Sequence, residues 1–566
     1  MLFRRRKLLR FLPPGLLTLL PAVLVLSSAG RDFTLLGSDM VVGSYHIRGL
    51  VGRLLREGHL PVWDPHTMCG FPLLAAMQAG VLYPLTWPAA FLSPGPFWTA
   101  TVLVHLILAG LFAFAWLKKG LRVGTAAGLI GACVFMLSGY VLTRVLGGHI
   151  SQICAYPWLA AVLWRTERLL HRPTVLRWIL LAASVALLIL PGFPQFAFFA
   201  AVILLVRLVA YRVRAGAAGT RTMLLAAAAG GAGALFCAPQ FLATLEMVPE
   251  VQRVAGASYE FATQQSVPWH NLLCYLAPSF FGDDVGTPYW SRGAIWETTA
   301  FVGITGLILA ALALRGSHPQ RRFWAAAAGI AVLVALGKEA PFFKVVYYSI
   351  PGASLFRQPG RYLAVLTLAM SALSALGFDR LWKAGPDLRR STRVAAIGVA
   401  AILGAILLTL AVWNDPAPWS RFVTAQFADG DNLVSESVRN DPAFPEQARR
   451  HARAALVGAA VTLAVLSACL FGYSPDRRRA RLSATALGVL LAAELTVFGH
   501  GFLKSYESRL IAWPSDFVDF VKNRPGGPYL HIAEKFGAKW VLPKPFSVKQ
   551  LDDVIRAATA EEAPAA

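Results

Sequence analysis

The stretch GSDMVVGSYHIRGLVGRLLREGHLPVWDP, residues 37–65, decides how this chain is read. It opens on Gly37-Ser38-Asp39, continues as a helix-like run from Met40 to Gly58, and ends on Trp63-Asp64-Pro65. With Gly70-Phe71-Pro72, Gln78 and Tyr83-Pro84 it fills a segment, 31–96, that lies between one apolar run and the next. A segment this long and this rich in acid, amide and aromatic residues is more than a connector. Long structured loops between spans usually carry function.

The composition around it belongs to a membrane protein. The chain has 566 residues, 56% hydrophobic and 15% charged, with a mean hydropathy of +0.55. A soluble protein needs a polar shell that such a composition lacks. Apolar runs recur near 11–28, 97–117, 123–141, 150–164, 175–190, 195–210, 223–244, 295–314, 323–336, 362–381, 394–413, 454–471 and 482–502. These are about thirteen segments able to cross a bilayer core as helices. They are continuous rather than alternating, which excludes a β-barrel. The expected fold is an all-α polytopic membrane protein with a structured first extracytoplasmic loop at 31–96. Residues 70–92 are read as re-entrant or interfacial structure, because their prolines and Gln78 suit a span poorly.

The formal net charge of +23 does not point to nucleic acid, because the cations sit in short clusters between spans. One set of loops, 118–122, 165–177, 211–221, 315–322, 383–393 and 475–481, is short and basic. The alternate set holds Asp39, His149, Gln195, 246–290, 338–361 and 413–450, with Trp, Pro, Gln and acids. The positive-inside rule places the first set in the cytoplasm and the second outside. The cations then orient the chain rather than build a basic face. Arg4-Arg5-Arg6-Lys7 before the first run makes that run an uncleaved span with a cytoplasmic N-terminus, and the C-terminus falls outside. The six cysteines show no metal or redox spacing. Cys69 and Cys274 both fall in outer loops, where a disulfide could join them.

The outer set supplies the chemistry. Asp39 can deprotonate a hydroxyl or bind a divalent metal, Mg or Mn; it can also cap the helix that follows. In that helix Val41, Ile47, Leu50, Val51, Leu54 and Leu55 recur at helical spacing, with Arg48, Arg53 and Arg56 on a basic side. Such a helix lies in the headgroup plane, or presents a solvated scaffold face. Asp64 before Pro65 makes a turn. Gln78 and Tyr83 can bond a polar ligand or satisfy loop packing. His149 follows Gly147-Gly148 with Gln152 one turn on, and Gln195 opens a span after Gly192-Phe193-Pro194; each is a ligand or a structural group. Glu297 heads a span at a depth unfavourable for an unpaired charge. Trp269, Trp290 and Trp296 form an interfacial belt or stack on sugars. Arg357 and Arg361 run against the positive-inside bias and invite a lipid phosphate or pyrophosphate, or else bridge to acids in neighbouring loops. No nucleotide-binding loop or zinc-hydrolase motif is present.

Taken together, Asp39, Gly58-His59-Leu60-Pro61-Val62-Trp63-Asp64-Pro65, Gly70-Phe71-Pro72, Tyr83-Pro84, Gly148-His149, Gly192-Phe193-Pro194-Gln195, Ala238-Pro239 and Phe356-Arg357-Gln358-Pro359-Gly360-Arg361 resemble the YfhO-like bacterial membrane proteins, over roughly residues 8–524. That family is similar to GT-C glycosyltransferases, which use a polyprenyl-phosphate-linked sugar and carry an acid in the first outer loop. The resemblance implies a transferase of the bacterial inner membrane, with Asp39 as its acid/base or metal-linked residue. The second acid of an Asp-x-Asp pair is absent. The partners implied are the lipid-linked donor, membrane lipids and a glycan or lipid acceptor in the cell envelope. On electrostatic grounds Arg357 and Arg361 belong near the donor phosphate.

The resulting division is a GT-C-like transmembrane domain, 1–502, with further outer loops at 245–294 and 414–450, and an extracytoplasmic remnant, 503–528. A last segment, 529–566, resembles the end of a response-regulator receiver domain around Lys544-Pro545, without the earlier phosphoacceptor strand. The alternative functions are a lipid or polysaccharide flippase, for which Glu494 is the clearest deep charge, and a non-catalytic assembly protein.

Overall fold

The computed structural model describes residues 2–507, apart from 31, 66, 68–69, 251–256, 385–387, 413–415, 428–432 and 506. Cys69, which a disulfide could join to Cys274, and the receiver-like segment lie outside the described residues. The chain divides between Tyr506 and Glu507, so the description that follows is of the first unit.

Every apolar run read from the sequence is helical, and no strand forms among the described residues beyond two isolated bridges. Among the described residues, seven helices are long and apolar enough to cross a membrane, or eight with the pair Gly219–Phe236 and Ala238–Met247, which bends by 60°. The other runs give shorter helices, and the reason is local. The run at 295–314 breaks into Ile295–Thr298 and Ile304–Leu314, with the intervening residues 299–303 in irregular backbone buried within the protein. The run at 123–141 breaks at Ser138 and then continues five residues past its expected end, as Gly139–Leu146. Residues 70–92 contain no α-helix, only turns and the 3₁₀ helix Pro84–Ala90.

Leu363–Lys383 is the central helix. It packs on Ile304–Leu314, Thr125–Met136 and Arg321–Ala335. Small residues on its faces let backbones close in, as they must where lipid supplies no hydrophobic drive between helices. Ser371 Oγ donates to the Gly131 carbonyl at 2.7 Å and Ser374 Oγ to the Gly306 carbonyl at 3.0 Å.

The helices run between two polar ends. Thr125–Leu146 leads from the basic turn 118–122 to Arg144 and His149, and Ile150–His171 leads back to Glu167 and Arg168. Pro194–Ala215 leads from Gln195 to Arg207 and Tyr211; Pro359–Lys383 leads from Arg361 to Asp379 and Lys383. The alternation of loops in sequence thus becomes two separate clusters in space.

The loop after the first helix is strapped to the end of Arg477–Phe502. Leu35 bridges Ser505, Leu36 N donates to the Lys504 carbonyl at 2.6 Å, and Ser28 Oγ meets His500 Nδ1 at 3.1 Å. Within the loop, Met40–Ser44 is a π-helical turn leading into Tyr45–Arg56. Leu50 and Val51 of that helix bury against Leu73, Ala79 and Val81. Arg48 departs from the expected basic side. It is buried, with its guanidinium on the carbonyls of Ala79 and of Gln78, the latter at 3.0 Å, and burial pulls its pKa down to about 10. Arg53 and Arg56 do face outward. Asp64 forms its expected turn, accepting from Thr67 Oγ1 at 2.6 Å. Trp290 and the helix Pro416–Phe427 join through an aromatic cluster in which the Trp290 ring lies 5.8 Å from those of Trp419 and Phe422. Trp290 is therefore core rather than a sugar platform.

Candidate functional site

Asp39 and His149 stand on neighbouring turns because two glycines let the backbones touch. Gly148 has φ +73°, and a Cβ there would lie 2.4 Å from Met40 N and 2.9 Å from Asp39 N. Asp39 N donates to the Gly147 carbonyl at 3.1 Å and Ser38 Oγ to the same carbonyl at 3.2 Å. The Asp39 side chain makes no capping bond to the following helix. Its Oδ2 instead faces His149 Nε2 at 3.4 Å; the carboxylate is 62% exposed and the imidazole 12%.

Behind this rim runs a buried polar chain. His149 Nδ1 lies 3.3 Å from Gln152 Nε2, and Gln152 Oε1 accepts from Arg144 Nε at 2.6 Å. Arginine can only donate, so the Gln152 oxygen faces it and the Gln152 amide donates to Nδ1. The imidazole proton is thereby assigned to Nε2, toward Asp39. Arg144 Nη2 continues to Glu297 Oε2 at 3.0 Å, with both side chains 1% exposed, and Glu297 Oε1 lies 3.5 Å from Arg361 Nε. Arg361 Nη1 donates to Gln195 Oε1 at 3.1 Å, and Gln195 Nε2 to the Arg357 carbonyl at 3.4 Å. Arg144 also donates to the carbonyls of Tyr140 and Trp296 and lies 3.6 Å from the Tyr140 ring centroid. Trp296 then meets the His149 ring edge-on, with centroids 5.7 Å apart. At Gly360 a Cβ would lie 2.1 Å from the Glu297 carbonyl, so only glycine lets the Arg361 loop approach.

The structure thus joins Asp39, His149, Gln195, Glu297 and Arg361 and ends at the backbone of Arg357. It alters some of their expected parts. Glu297 and Gln195 are too buried to touch a substrate; they position their neighbours. Arg361 already holds an anion, Glu297. Arg357 is half-buried, 5.3 Å from the Phe261 ring centroid. Tyr83 is not available to a ligand. Trp158 Nε1 donates to its hydroxyl at 2.9 Å, and the hydroxyl donates to His105 Nε2 at 2.8 Å, because His105 Nδ1 bonds the Thr101 carbonyl at 2.7 Å. Burial pushes the phenol well above its usual pKa. Gln78 is exposed, and its backbone packs against Gly192.

Arg144 and Gln152 complete the chain. The signal for Arg144 was a lone cation in the short stretch between two apolar runs, where a charge demands a partner. Among the described residues, no group of three or more His, Cys, Asp or Glu side chains gathers as a metal site. Asp39 offers one carboxylate and the nitrogen beside it carries a proton, so the protein's own donors do not fit a resident Mg or Mn ion.

An apolar groove of about 240 Å³ runs between Pro194–Ala215 and Arg321–Ala335, lined by Phe198, Phe199, Val202, Ile330, Val334 and Tyr362. Phe356 packs on Phe198 at 5.3 Å and Tyr362 on Phe199 at 4.6 Å, so the groove meets the loop that carries Arg357 and Arg361.

No family model matches the sequence, and no curated protein matches it. Solved structures similar to the chain include ArnT from Cupriavidus metallidurans bound to undecaprenyl phosphate, at 15% identity and TM-score 0.46, over 87% of this chain and 77% of that one. Another is the archaeal oligosaccharyltransferase AglB from Archaeoglobus fulgidus in complex with an inhibitory peptide and a dolichol-phosphate, at 13% identity and TM-score 0.36, over 96% of this chain and 62% of that one. At these identities and TM-scores the likeness assigns neither family nor activity.

Proposed function

We propose that the chain is a membrane glycosyltransferase that moves a sugar from a polyprenyl-phosphate donor to a cell-envelope acceptor, at the extracytoplasmic face of a bacterial inner membrane. The observation that carries this reading is the polar chain itself. It ties an exposed carboxylate, Asp39, to the Arg357–Arg361 loop, which closes an apolar groove. A lipid-linked phosphosugar needs that combination: an apolar lane for the prenyl tail, a cationic loop for the phosphate and a base for the acceptor.

In the reaction the acceptor oxygen bonds to the anomeric carbon as the bond from that carbon to the phosphate oxygen breaks. The phosphate leaves with the electron pair, beside the arginine loop. The hydroxyl proton passes to Asp39, which releases it to water. His149, held through Nδ1 by Gln152, donates its Nε2 proton toward the Asp39 carboxylate and fixes its direction. Glu494 does not support the flippase reading. It accepts from Thr305 N at 3.3 Å and from Thr305 Oγ1, which satisfies the first turn of Ile304–Leu314.

Asp39→Asn, assayed in membranes with a radiolabelled polyprenyl-phosphate sugar, is expected to cut transfer by ~10²–10⁴-fold at unchanged expression and thermal stability, the range for a positioned base. Undiminished transfer by this variant removes Asp39 from the mechanism; no transfer by membranes carrying the unaltered chain overturns the transferase reading.

A further inference from the structure

Five of the six basic loops, expected only to orient the chain, line one cavity. Its volume is about 990 Å³, within the range of ligand sites, and it lies at the end of the helices away from Asp39. Lys118, Lys119, Arg122, Arg168 and Arg177 line it, contributed by separate segments of the chain. Both acids in its wall are already neutralised. Glu167 holds Arg207 through two bonds, at 2.7 and 3.1 Å; Asp379 holds Lys383 and accepts from Gly124 N at 2.8 Å. Among the described residues no carboxylate forms an ion pair with the five lining cations.

The wall is held in place before any ligand arrives. His318 Nε2 donates to the Leu121 carbonyl at 3.1 Å, and Gln320 Nε2 to the Gly120 carbonyl at 3.5 Å. Arg177 Nη1 is fixed on the carbonyls of Arg168 and Arg172, at 2.9 and 2.7 Å. Like charges fixed around a cavity repel one another, and an anion between them removes the repulsion. Beside the cavity stand exposed apolar residues, Val175, Leu176 and Ile179 next to Arg177, and Val206 and Val209 next to Arg207. The cations therefore sit where lipid-facing surface begins, the depth of a phospholipid headgroup.

We infer that this cavity binds a phosphate group, supplied by the headgroup of an anionic phospholipid, at a site separate from the proposed transfer chemistry. The full chain is placed in nanodiscs of phosphatidylcholine alone or with phosphatidylglycerol. Retained phosphatidylglycerol is counted by native mass spectrometry, and unfolding temperature is read for both. The expected result is retention of phosphatidylglycerol with a raised unfolding temperature. Lys119→Gln with Arg168→Gln should weaken retention by about tenfold or more, since each cation near an anionic surface adds roughly a factor of five. Arg389→Gln with Arg390→Gln, exposed and outside the cavity wall, should change little. In detergent, inorganic phosphate is compared with chloride at equal ionic strength. If phosphate alone reproduces the stabilisation and phosphatidylglycerol adds nothing, the lipid source is overturned while the phosphate site stands. Equal behaviour in both nanodiscs with no effect of phosphate, or an equal loss in the control pair, overturns the site.

Discussion

Arg144 and Arg168 occupy consecutive long helical segments and meet opposite ends of the molecule. Arg144 is 1% exposed and delivers its protons to Gln152, Glu297 and two carbonyls. Arg168 faces a cavity beside other cations, and the acids in that wall are held by Arg207 and Lys383. The same side chain is a structural tie where its charge is matched and a binding group where it is not. Sequence position sets which loops are basic; the pairing of acids sets what the cations do.

The largest effect should come from breaking the matched end. Arg144→Met removes the closer of the two cations on buried Glu297 and leaves Arg361 Nε at 3.5 Å, a loss of up to ~3–5 kcal/mol, read as a marked fall in unfolding temperature in detergent. The double variant Arg144→Met with Glu297→Leu should be more stable than Arg144→Met alone. If the two losses simply add, the pair is not coupled and the comparison fails.

Next in size, His149→Ala should lower transfer by ~10–100-fold while the fold persists, because Asp39 keeps its carboxylate but loses its director. Gln152→Leu should produce a smaller fall in kcat with His149 still present; an unchanged kcat would show that the imidazole is oriented by other means. Gly148→Ala forces an L side chain into a left-handed turn against Asp39 N, at a cost of ~1–3 kcal/mol, and its activity should fall more than its stability. The smallest effect belongs to the other end. In neutral lipid, Lys119→Gln with Arg168→Gln should leave the unfolding temperature within about 1 °C or raise it slightly, since only repulsion is lost. A large destabilisation there would make the two ends alike.

Much of this was legible in the residues. Continuous apolar runs specify helices because a chain in lipid must satisfy its own backbone, and each run forms one helix or a broken pair. The alternation of basic and acid-amide loops foretold the two polar clusters. Asp39, His149, Gln195, Glu297 and Arg361 could be selected because polar groups at span ends need partners. The identity of those partners was hidden. The apolar run was read as ending at residue 141, so Arg144 counted as loop, whereas Gly139–Leu146 carries it into the core. Tyr83 and Arg48 looked available because sequence shows a donor but not the acceptor that consumes it, here His105 and the carbonyls of residues 78–79. Nor could spacing reveal that the basic loops face one another across a cavity.

The bridge between Leu35 and Ser505 carries a consequence for biogenesis. The turn bearing Asp39 leaves the ribosome early, yet its strap is made from residues inserted some 470 positions later. A nascent polypeptide halted before that point holds the Asp39 turn through the Gly147 carbonyl but without the strap at residues 500–505. The last of the described helices to be made thereby completes the support of the first loop.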